Sequence, residues 1–188
     1  DPAAGHYAPS AHVAETQVNT KKLGKNSPMR VRVYLPPGYD PNGSKRYPVL
    51  YVTDGQNVFE PDPKAGHPIN EWKLDESLER LIRGKRMVPI IVVAVDTRAM
   101  RIDYLPSRET FSEDSKAWQG GHAEALLDFL KDLKVEIDKD FRTEPKDAGI
   151  MGSSLGGLFA LHAGFKYPDR FRRAAALSPS LWWGKRPK

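Results

Sequence analysis

Cysteine is absent from the 188-residue chain. Its absence excludes disulfide bonds, thiolate metal sites and a cysteine nucleophile. It does not assign a compartment, because a chain without cysteine is stable in reducing and in oxidising surroundings; a cytoplasmic and an exported protein both stay open. The five histidines show no H-x-x-x-H or comparable spacing, so we expect no metal site and no cofactor.

Long apolar runs and blocks of like charge are also missing. No apolar stretch approaches the roughly 20 residues that a membrane-spanning helix needs, so we expect no membrane span. The formal net charge is only +5, and the basic residues are dispersed among acidic ones. This pattern argues against nucleic acid as a partner. It leaves attraction of an anionic small molecule open.

The chain does contain an alternation of strand and helix patterns. Residues 1–12, rich in proline and alanine, are predicted to form a flexible arm, which leaves residues 13–188 as one domain. Residues 31–35 alternate apolar and polar positions before a Pro-Pro-Gly turn, which predicts an edge-type antiparallel strand. Continuous β-prone runs, typical of strands buried in a parallel sheet, occupy 47–53, 88–95, 147–151 and 174–177. Helical patterns lie at 72–82, 121–137 and 155–165. This order predicts a doubly wound, mostly parallel sheet with helices on both faces.

One short motif carries chemistry. Residues 152–156 read Gly-Ser-Ser-Leu-Gly and match G-x-S-x-G, with a strand pattern before the motif and a helix pattern after it. That context is the setting of a nucleophile elbow, in which a serine hydroxyl is exposed at a sharp turn above the sheet. We therefore predict that Ser154 is a nucleophile, with flanking glycines that leave room for the turn. The alternative is a structural Gly/Ser turn.

Two backbone N–H groups are candidates for an oxyanion hole. A helix that begins after Ser154 presents unpaired N–H groups and a partial positive charge, so the Leu155 N–H is the first candidate. The second donor is expected from the loop after an earlier strand, where residues 54–57 read Asp-Gly-Gln-Asn. Gly55 permits close backbone approach, which makes the Gln56 N–H the best candidate. An ordinary Asp-Gly turn is the alternative.

Several segments together resemble the esterase group of the α/β hydrolases, which includes enterochelin-esterase-like proteins, esterase-D-like enzymes and related carbohydrate esterases. The segments are RVRVYLPPGYD (30–40), YPVLYVTDGQNVF (47–59), IIVVAVDTRAMRIDYLP (90–106), LLDFLKDLKVEIDKDFRT (126–143), GIMGSSLGGLFALHAGFKYPDRF (149–171) and AAALSPSLWW (174–183). DGQN and SPSLWW look most like the enterochelin-esterase-like branch. The resemblance implies the three-layer α/β-hydrolase fold. It also places five residues near the substrate cleft, although large aromatics are as common in cores: Arg101, Asp103, Tyr104, Trp182 and Trp183.

The catalytic partners of Ser154 have no convincing candidates in the chain. Such enzymes follow the order serine, acid, histidine. His6 and His12 lie in the arm, His67 lies in a Pro/Gly-rich loop, and His122 starts a helix. His162 is eight residues past Ser154 on one helix, about 12 Å along its axis, too far to take the serine proton. We therefore expect the acid and histidine beyond residue 188, in a longer enzyme whose C-terminal part is missing here, rather than a degenerate relative.

The expected function is hydrolysis of a small-molecule carboxylic ester through an acyl-enzyme on Ser154, with residues 1–188 alone poorly active. A non-catalytic binding protein on a hydrolase fold and an acyltransferase that uses the same serine are the alternatives. Siderophore-like cyclic esters, acylated sugars and small aryl esters all stay open as substrates. We also expect the strand at 174–178 to leave a sheet edge incomplete, which favours self-association.

Overall fold

A computed structural model describes residues 13–18, 28–59, 71–97 and 120–183. The predicted arm at 1–12 and the cleft candidates Arg101, Asp103 and Tyr104 lie outside the described residues. The elements follow the order β1 (Val13–Val18), β2 (Met29–Tyr34), β3 (Tyr47–Val52), α1 (Leu74–Arg83), β4 (Ile91–Val95), α2 (Ala123–Asp140), β5 (Thr143–Ser153), α3 (Leu155–Lys166) and β6 (Arg173–Leu177). A short 3₁₀ helix, Gly55–Asn57, follows β3.

The six described strands form one sheet in the order β1-β2-β4-β3-β5-β6. The four strands from β4 to β6 in this order are parallel, and β1 and β2 are antiparallel additions at one side. Parallel neighbours joined by helices place the carboxyl ends of β3, β4 and β5 at one edge of the sheet. The predicted doubly wound, mostly parallel α/β sheet is therefore confirmed.

Helices cover both faces of this sheet. Along β4, Ile91 and Val93 pack into one apolar cluster with α2 and α3, whereas Val92 and Ala94 pack into a second cluster with α1. Successive strand residues point to opposite faces, so a strand that is buried at every position needs a helix on each side. This is why the continuous apolar runs predicted interior strands correctly for β3, β4 and β5. The run at 174–177 forms β6, which is the last described strand of the sheet and is mostly exposed.

The structure corrects three details of the predicted strands. The prediction that residues 31–35 form an edge strand is wrong, because β1 pairs with β2 and makes it an interior strand. Its polar position Arg32 is only 3% exposed, because the side chain packs against Gly55 and Phe59. β4 begins at Ile91 rather than at Val88, which is 66% exposed, and β5 begins earlier than predicted, at Thr143. β6 is the last described strand of the sheet, and self-association through its edge stays a prediction.

A surface carboxylate joins α2 to α3. Lys166 Nζ donates a hydrogen bond to Glu124 Oε1 at 2.5 Å, and the Tyr167 hydroxyl donates to Glu124 Oε2 at 2.8 Å. His162 Nε2 lies 3.4 Å from the same Oε1. The hydrogen bond from Lys166, followed by those from Tyr167 and His162, lowers the pKa of Glu124 from 4.5 to about 2.

We expect Glu124→Gln to destabilise the fold at neutral pH and much less in acid. The folded-state pKa of Glu124 lies below its ordinary value of 4.5, so the carboxylate stabilises the fold above that pH, and most of this contribution is lost by about pH 3. Since Glu124 is half exposed, solvent screening keeps the loss at pH 7 below about 1 kcal/mol. Urea unfolding at pH 7 and pH 3 measures the difference. Glu144→Gln, on the exposed part of β5, is the control, and an equal loss from Glu124→Gln at both pH values would contradict this explanation.

Candidate active site

Ser154 lies between the last residue of β5 and the first residue of α3. Its backbone has φ 55° and ψ −116°, a left-handed φ that costs a residue with a side chain about 1–3 kcal/mol and persists only where the surroundings hold it. Three backbone hydrogen bonds do so here. The Ser154 N–H donates to the Leu177 carbonyl at 2.9 Å, and the Ser154 carbonyl accepts from the N–H groups of Leu158 and Ser180 at 3.1 and 2.9 Å. The strand-to-helix turn predicted from G-x-S-x-G is therefore present.

Gly152 makes this turn sterically possible. A Cβ atom at that position would lie 2.2 Å from the Gly156 carbonyl oxygen and 2.5 Å from Thr53 Oγ1. Both distances are far inside van der Waals contact, and the first partner is backbone that cannot rotate away. The chain can therefore bring the end of β5, the start of α3 and the end of β3 together only around a residue without a side chain.

We expect Gly152→Ala to lower the free energy of unfolding by about 3 kcal/mol or more, because the added methyl overlaps backbone in a closely packed turn. Urea unfolding monitored by circular dichroism measures the loss. Gly43→Ala is the matched control, since the atoms nearest to its Cβ would be those of the exposed Asp40 side chain, at 3.2 Å, and should change stability by less than about 0.5 kcal/mol. Equal stability of the two variants would show that the turn tolerates a side chain.

The hydroxyl of Ser154 has one side-chain partner among the described residues. Its Oγ lies 3.0 Å from the Oγ of Ser180, a residue only 3% exposed. Ser180 follows β6, and the backbone hydrogen bond from its N–H to the Ser154 carbonyl holds it in place. Ser180 was not among the residues predicted from the sequence. The sequence signal that could have indicated Ser180 was its position in the SPSLWW segment, which follows β6 and lies beside the turn at Ser154.

Neither described histidine contacts Ser154. His122 is exposed and occupies the N-cap position of α2 without a side-chain capping bond, and His162 faces Glu124. His6, His12 and His67 lie outside the described residues. In the part of the chain that the structure covers, the Ser154 hydroxyl therefore contacts a neighbouring hydroxyl, that of Ser180, but contacts no histidine that could act as a general base.

The predicted oxyanion loop begins beside the elbow. The Thr53 N–H donates to the Met151 carbonyl at 3.1 Å, so the end of β3 lies against the end of β5. Asp54 holds the loop, because its N–H donates to Thr97 Oγ1 and the Thr97 hydroxyl donates to Asp54 Oδ1, each at 3.0 Å. Gln56 is buried within this loop. Leu155 is the first residue of α3, where a backbone N–H has no acceptor within the helix.

Gly55 fits against the backbone of the neighbouring strand. A Cβ atom there would lie 2.7 Å from the backbone N and C atoms of Val95. Gly55 therefore approaches the backbone of β4 closely, and the predicted role of the neighbouring Gln56 N–H as an oxyanion donor stays a prediction.

The two tryptophans after β6 lie in different surroundings. Trp182 is 55% exposed, whereas Trp183 is 8% exposed and packs into the apolar cluster beneath α2 and α3. Their ring centroids are 5.9 Å apart. Both tryptophans stay cleft candidates by resemblance, with Trp182 on the surface two residues after Ser180 and Trp183 packed into the core.

The described residues hold no group of three or more histidine, aspartate or glutamate side chains placed to bind a metal ion. Within the same residues, none of the helices combines the length and apolar character needed to cross a membrane.

Comparison with known proteins extends these observations. The family model described as "Putative esterase" matches residues 23–188. Ferri-bacillibactin esterase BesA of Bacillus subtilis is 30% identical over 161 residues, which cover 74% of this chain and 50% of that protein. The iron(III) enterobactin esterase of Escherichia coli K12 is 31% identical over 115 residues, which cover 61% of this chain and 26% of that protein. The uncharacterised YbbA of Bacillus subtilis is 27% identical over 160 residues, or 82% of this chain and 58% of that protein. The chain thus spans about half the length, or less, of these relatives.

Solved structures share the fold. The IroE-like serine hydrolase from Shewanella oneidensis aligns with a TM-score of 0.73 at 23% identity, over 91% of this chain and 52% of that one. The BES protein from Bacillus cereus aligns with a TM-score of 0.68 at 22% identity, over 97% of this chain and 67% of that one. These alignments confirm the α/β-hydrolase architecture.

Proposed function

The chain belongs to the Putative esterase family, and from that membership we propose that it is the nucleophile-bearing part of a serine carboxylic-ester hydrolase. The observation that carries the proposal is the geometry of Ser154. A non-glycine residue held at φ 55° between strand and helix, in a turn that excludes even a methyl group at Gly152, is costly to maintain. A nucleophile elbow explains why this strained backbone is kept, because the turn exposes the serine hydroxyl above the edge of the sheet.

In the proposed reaction, Ser154 Oγ attacks the carbonyl carbon of the ester, and a tetrahedral intermediate forms. The N–H groups of Leu155 and Gln56 donate hydrogen bonds to its oxyanion. The C–O bond to the alcohol then breaks, the alcohol leaves with a proton, and the acyl group stays on Ser154. Water attacks the acyl-enzyme in the same way and releases the carboxylic acid.

This chemistry needs a base for the Ser154 proton. Ser180 cannot serve as one, because a neutral hydroxyl has no affinity for a second proton near neutral pH. Neither described histidine contacts Ser154, and the relatives are about twice as long as the matched region. We therefore propose that the histidine and its acid lie in protein beyond residue 188 and that residues 1–188 alone turn over slowly.

Siderophore esters are the proposed substrate class. The support is that curated relatives in Bacillus and Escherichia are named ferri-bacillibactin and enterobactin esterases. Trp182, half exposed beside the Ser180 segment, offers an aromatic face for an aromatic acyl group. Arg101 and Tyr104 stay cleft candidates by resemblance alone. We further propose that residues 13–188 fold as one domain, with residues 1–12 outside it.

Product analysis with the full-length protein tests this function. A catecholate trilactone siderophore, an acetylated sugar and p-nitrophenyl acetate would each be incubated with the protein, and the released carboxylic acid followed by chromatography. We expect the acid to appear, fastest from the siderophore. Transfer of the acyl group to an added alcohol in place of acid release would indicate an acyltransferase, and binding of the intact ester without turnover would indicate a binding protein. Either outcome would overturn the proposal.

A further inference from the structure

A buried arginine lies behind the loop that carries Gln56. Arg32 is on β2 and is 3% exposed, although a guanidinium is always charged and costly to bury without partners. One terminal nitrogen of Arg32 donates a hydrogen bond to the Gly55 carbonyl. The guanidinium carbon also lies 5.5 Å from the centroid of the Phe59 ring, within the range of a cation–π contact. Arg32 is therefore held at one backbone carbonyl of the loop.

The orientation of that carbonyl decides the orientation of the Gln56 N–H. The two groups belong to the same planar trans peptide unit, in which the C=O and N–H bonds point in opposite directions. The Gly55 carbonyl also accepts from the Val58 N–H at 3.2 Å. The peptide plane therefore cannot rotate without losing both donors.

The order of the strands shows where Arg32 and Ser154 lie relative to the Gly55–Gln56 peptide. Arg32 pairs with Ala94 across β2 and β4, and Gly55 packs against the backbone at the end of β4. In the order β2-β4-β3-β5, the side of β3 that holds Arg32 is opposite to the side that holds β5. Because the Gly55 carbonyl is directed towards Arg32, the Gln56 N–H is directed away from Arg32. Ser154 lies at the end of β5, on the other side of β3 from β2.

We propose that Arg32 is a positioning residue for the oxyanion hole. It sets the Gly55–Gln56 peptide plane, and its buried positive charge polarises that peptide so that the Gln56 N–H becomes a stronger donor to the developing oxyanion. This inference rests on the proposed function, in which Ser154 is the nucleophile and Gln56 an oxyanion donor. A purely structural arginine would stabilise the loop but would not alter how the site discriminates between an oxygen anion and a sulfur anion.

Sulfur substitution provides a readout of the oxyanion hole alone. A thionoester carries C=S in place of C=O, and sulfur accepts hydrogen bonds poorly, so an oxyanion hole favours the oxygen ester. The test measures kcat/KM for p-nitrophenyl acetate and for its thiono analogue on the same sample of full-length protein. Their ratio does not depend on how much of the protein is folded. Arg32→Met should lower this ratio by about 10-fold or more, mainly through kcat, and Arg32→Lys should restore part of it.

Arg46→Met is the matched control. Arg46 also donates to a backbone carbonyl, that of Thr143 at 3.0 Å, but at the amino end of β3, opposite to the elbow. Its ratio should equal that of the unmodified protein. An unchanged ratio in Arg32→Met, or an equal fall in Arg46→Met, would overturn the role of Arg32. If Arg32→Met gives no active protein, Arg32→Lys decides: a lowered ratio supports the inference and an unchanged one overturns it.

Ser154→Ala separates this inference from the proposed function. Ester hydrolysis that continues in Ser154→Ala at close to the rate of the unmodified protein overturns the function itself. Loss of hydrolysis in Ser154→Ala together with an unchanged ratio in Arg32→Met overturns only the positioning role.

Discussion

Ser154→Ala should reduce ester hydrolysis by the full-length protein by at least about 10⁴-fold and should abolish labelling by a fluorophosphonate probe. The physical reason is that the substitution removes the oxygen proposed to form the acyl-enzyme, while the turn and the proposed oxyanion donors stay in place. Residual hydrolysis from the oxyanion hole and substrate binding should persist at a low level, as it does in serine proteases that lack a member of their catalytic triad. The measurement is labelling followed by in-gel fluorescence, with p-nitrophenyl acetate turnover in parallel.

Ser153→Ala is the matched control for this prediction. Ser153 is the last residue of β5 and pairs with Leu177 of β6, so its side chain points differently from that of the next residue at the turn. Labelling should persist in Ser153→Ala. Labelling that survives in Ser154→Ala but disappears in Ser153→Ala would show that Ser153, and not Ser154, is the nucleophile.

Full-length protein should react with the same probe at least about 10³-fold faster than residues 1–188 alone. In the described residues, Ser154 Oγ faces Ser180 and no histidine. In the proposed mechanism, the elbow and the loop at Gly55 supply position and oxyanion stabilisation, but they cannot remove the serine proton, which needs a general base. Second-order labelling rates for the two lengths, measured at several pH values, test this division of labour.

Circular dichroism and urea unfolding of residues 1–188 are the control, because a poorly folded chain would also label slowly. Equal labelling of both lengths would place the base within residues 1–188, with His122 and His67 as the first candidates for substitution. Labelling of neither length would favour the binding-protein alternative.

The architecture could be predicted because local patterns reflect the layers of the sheet. The run at 88–95 is apolar at successive positions, and such a strand needs a helix on each face, which the structure provides for Ile91–Val95. The turn at Ser154 could be predicted for a similar reason, because the glycine that the turn requires is close by in sequence. The predicted roles of Leu155, Gln56 and the cleft residues stay predictions.

Contacts between residues far apart in the chain could not be predicted in this way. Residues 31–35 have the alternation of an edge strand, and only the tertiary structure shows that β1 pairs with β2 and that Arg32 is buried against Gly55 and Phe59. Ser180 lies 26 residues from Ser154 in sequence but 3.0 Å from it in space. The Glu124 carboxylate meets Lys166 across 42 residues. No short sequence motif indicates that these pairs of residues are close in space.

The sequence by itself determined the approximate positions of the strands β2 to β6 and of the three α-helices, where the strand-to-helix turn at Ser154 lies and which family the chain resembles. These properties depend on neighbours within a few positions and on the period of apolar residues. The strand β1 (Val13–Val18) was missed. Only the tertiary structure decided that Arg32 reaches the Gly55 carbonyl and that Ser180 faces the Ser154 hydroxyl. Both contacts depend on the order of the strands in the sheet, because that order brings together residues that are far apart in the sequence. Neither residue of such a pair can be inferred from the residues next to the other in the chain.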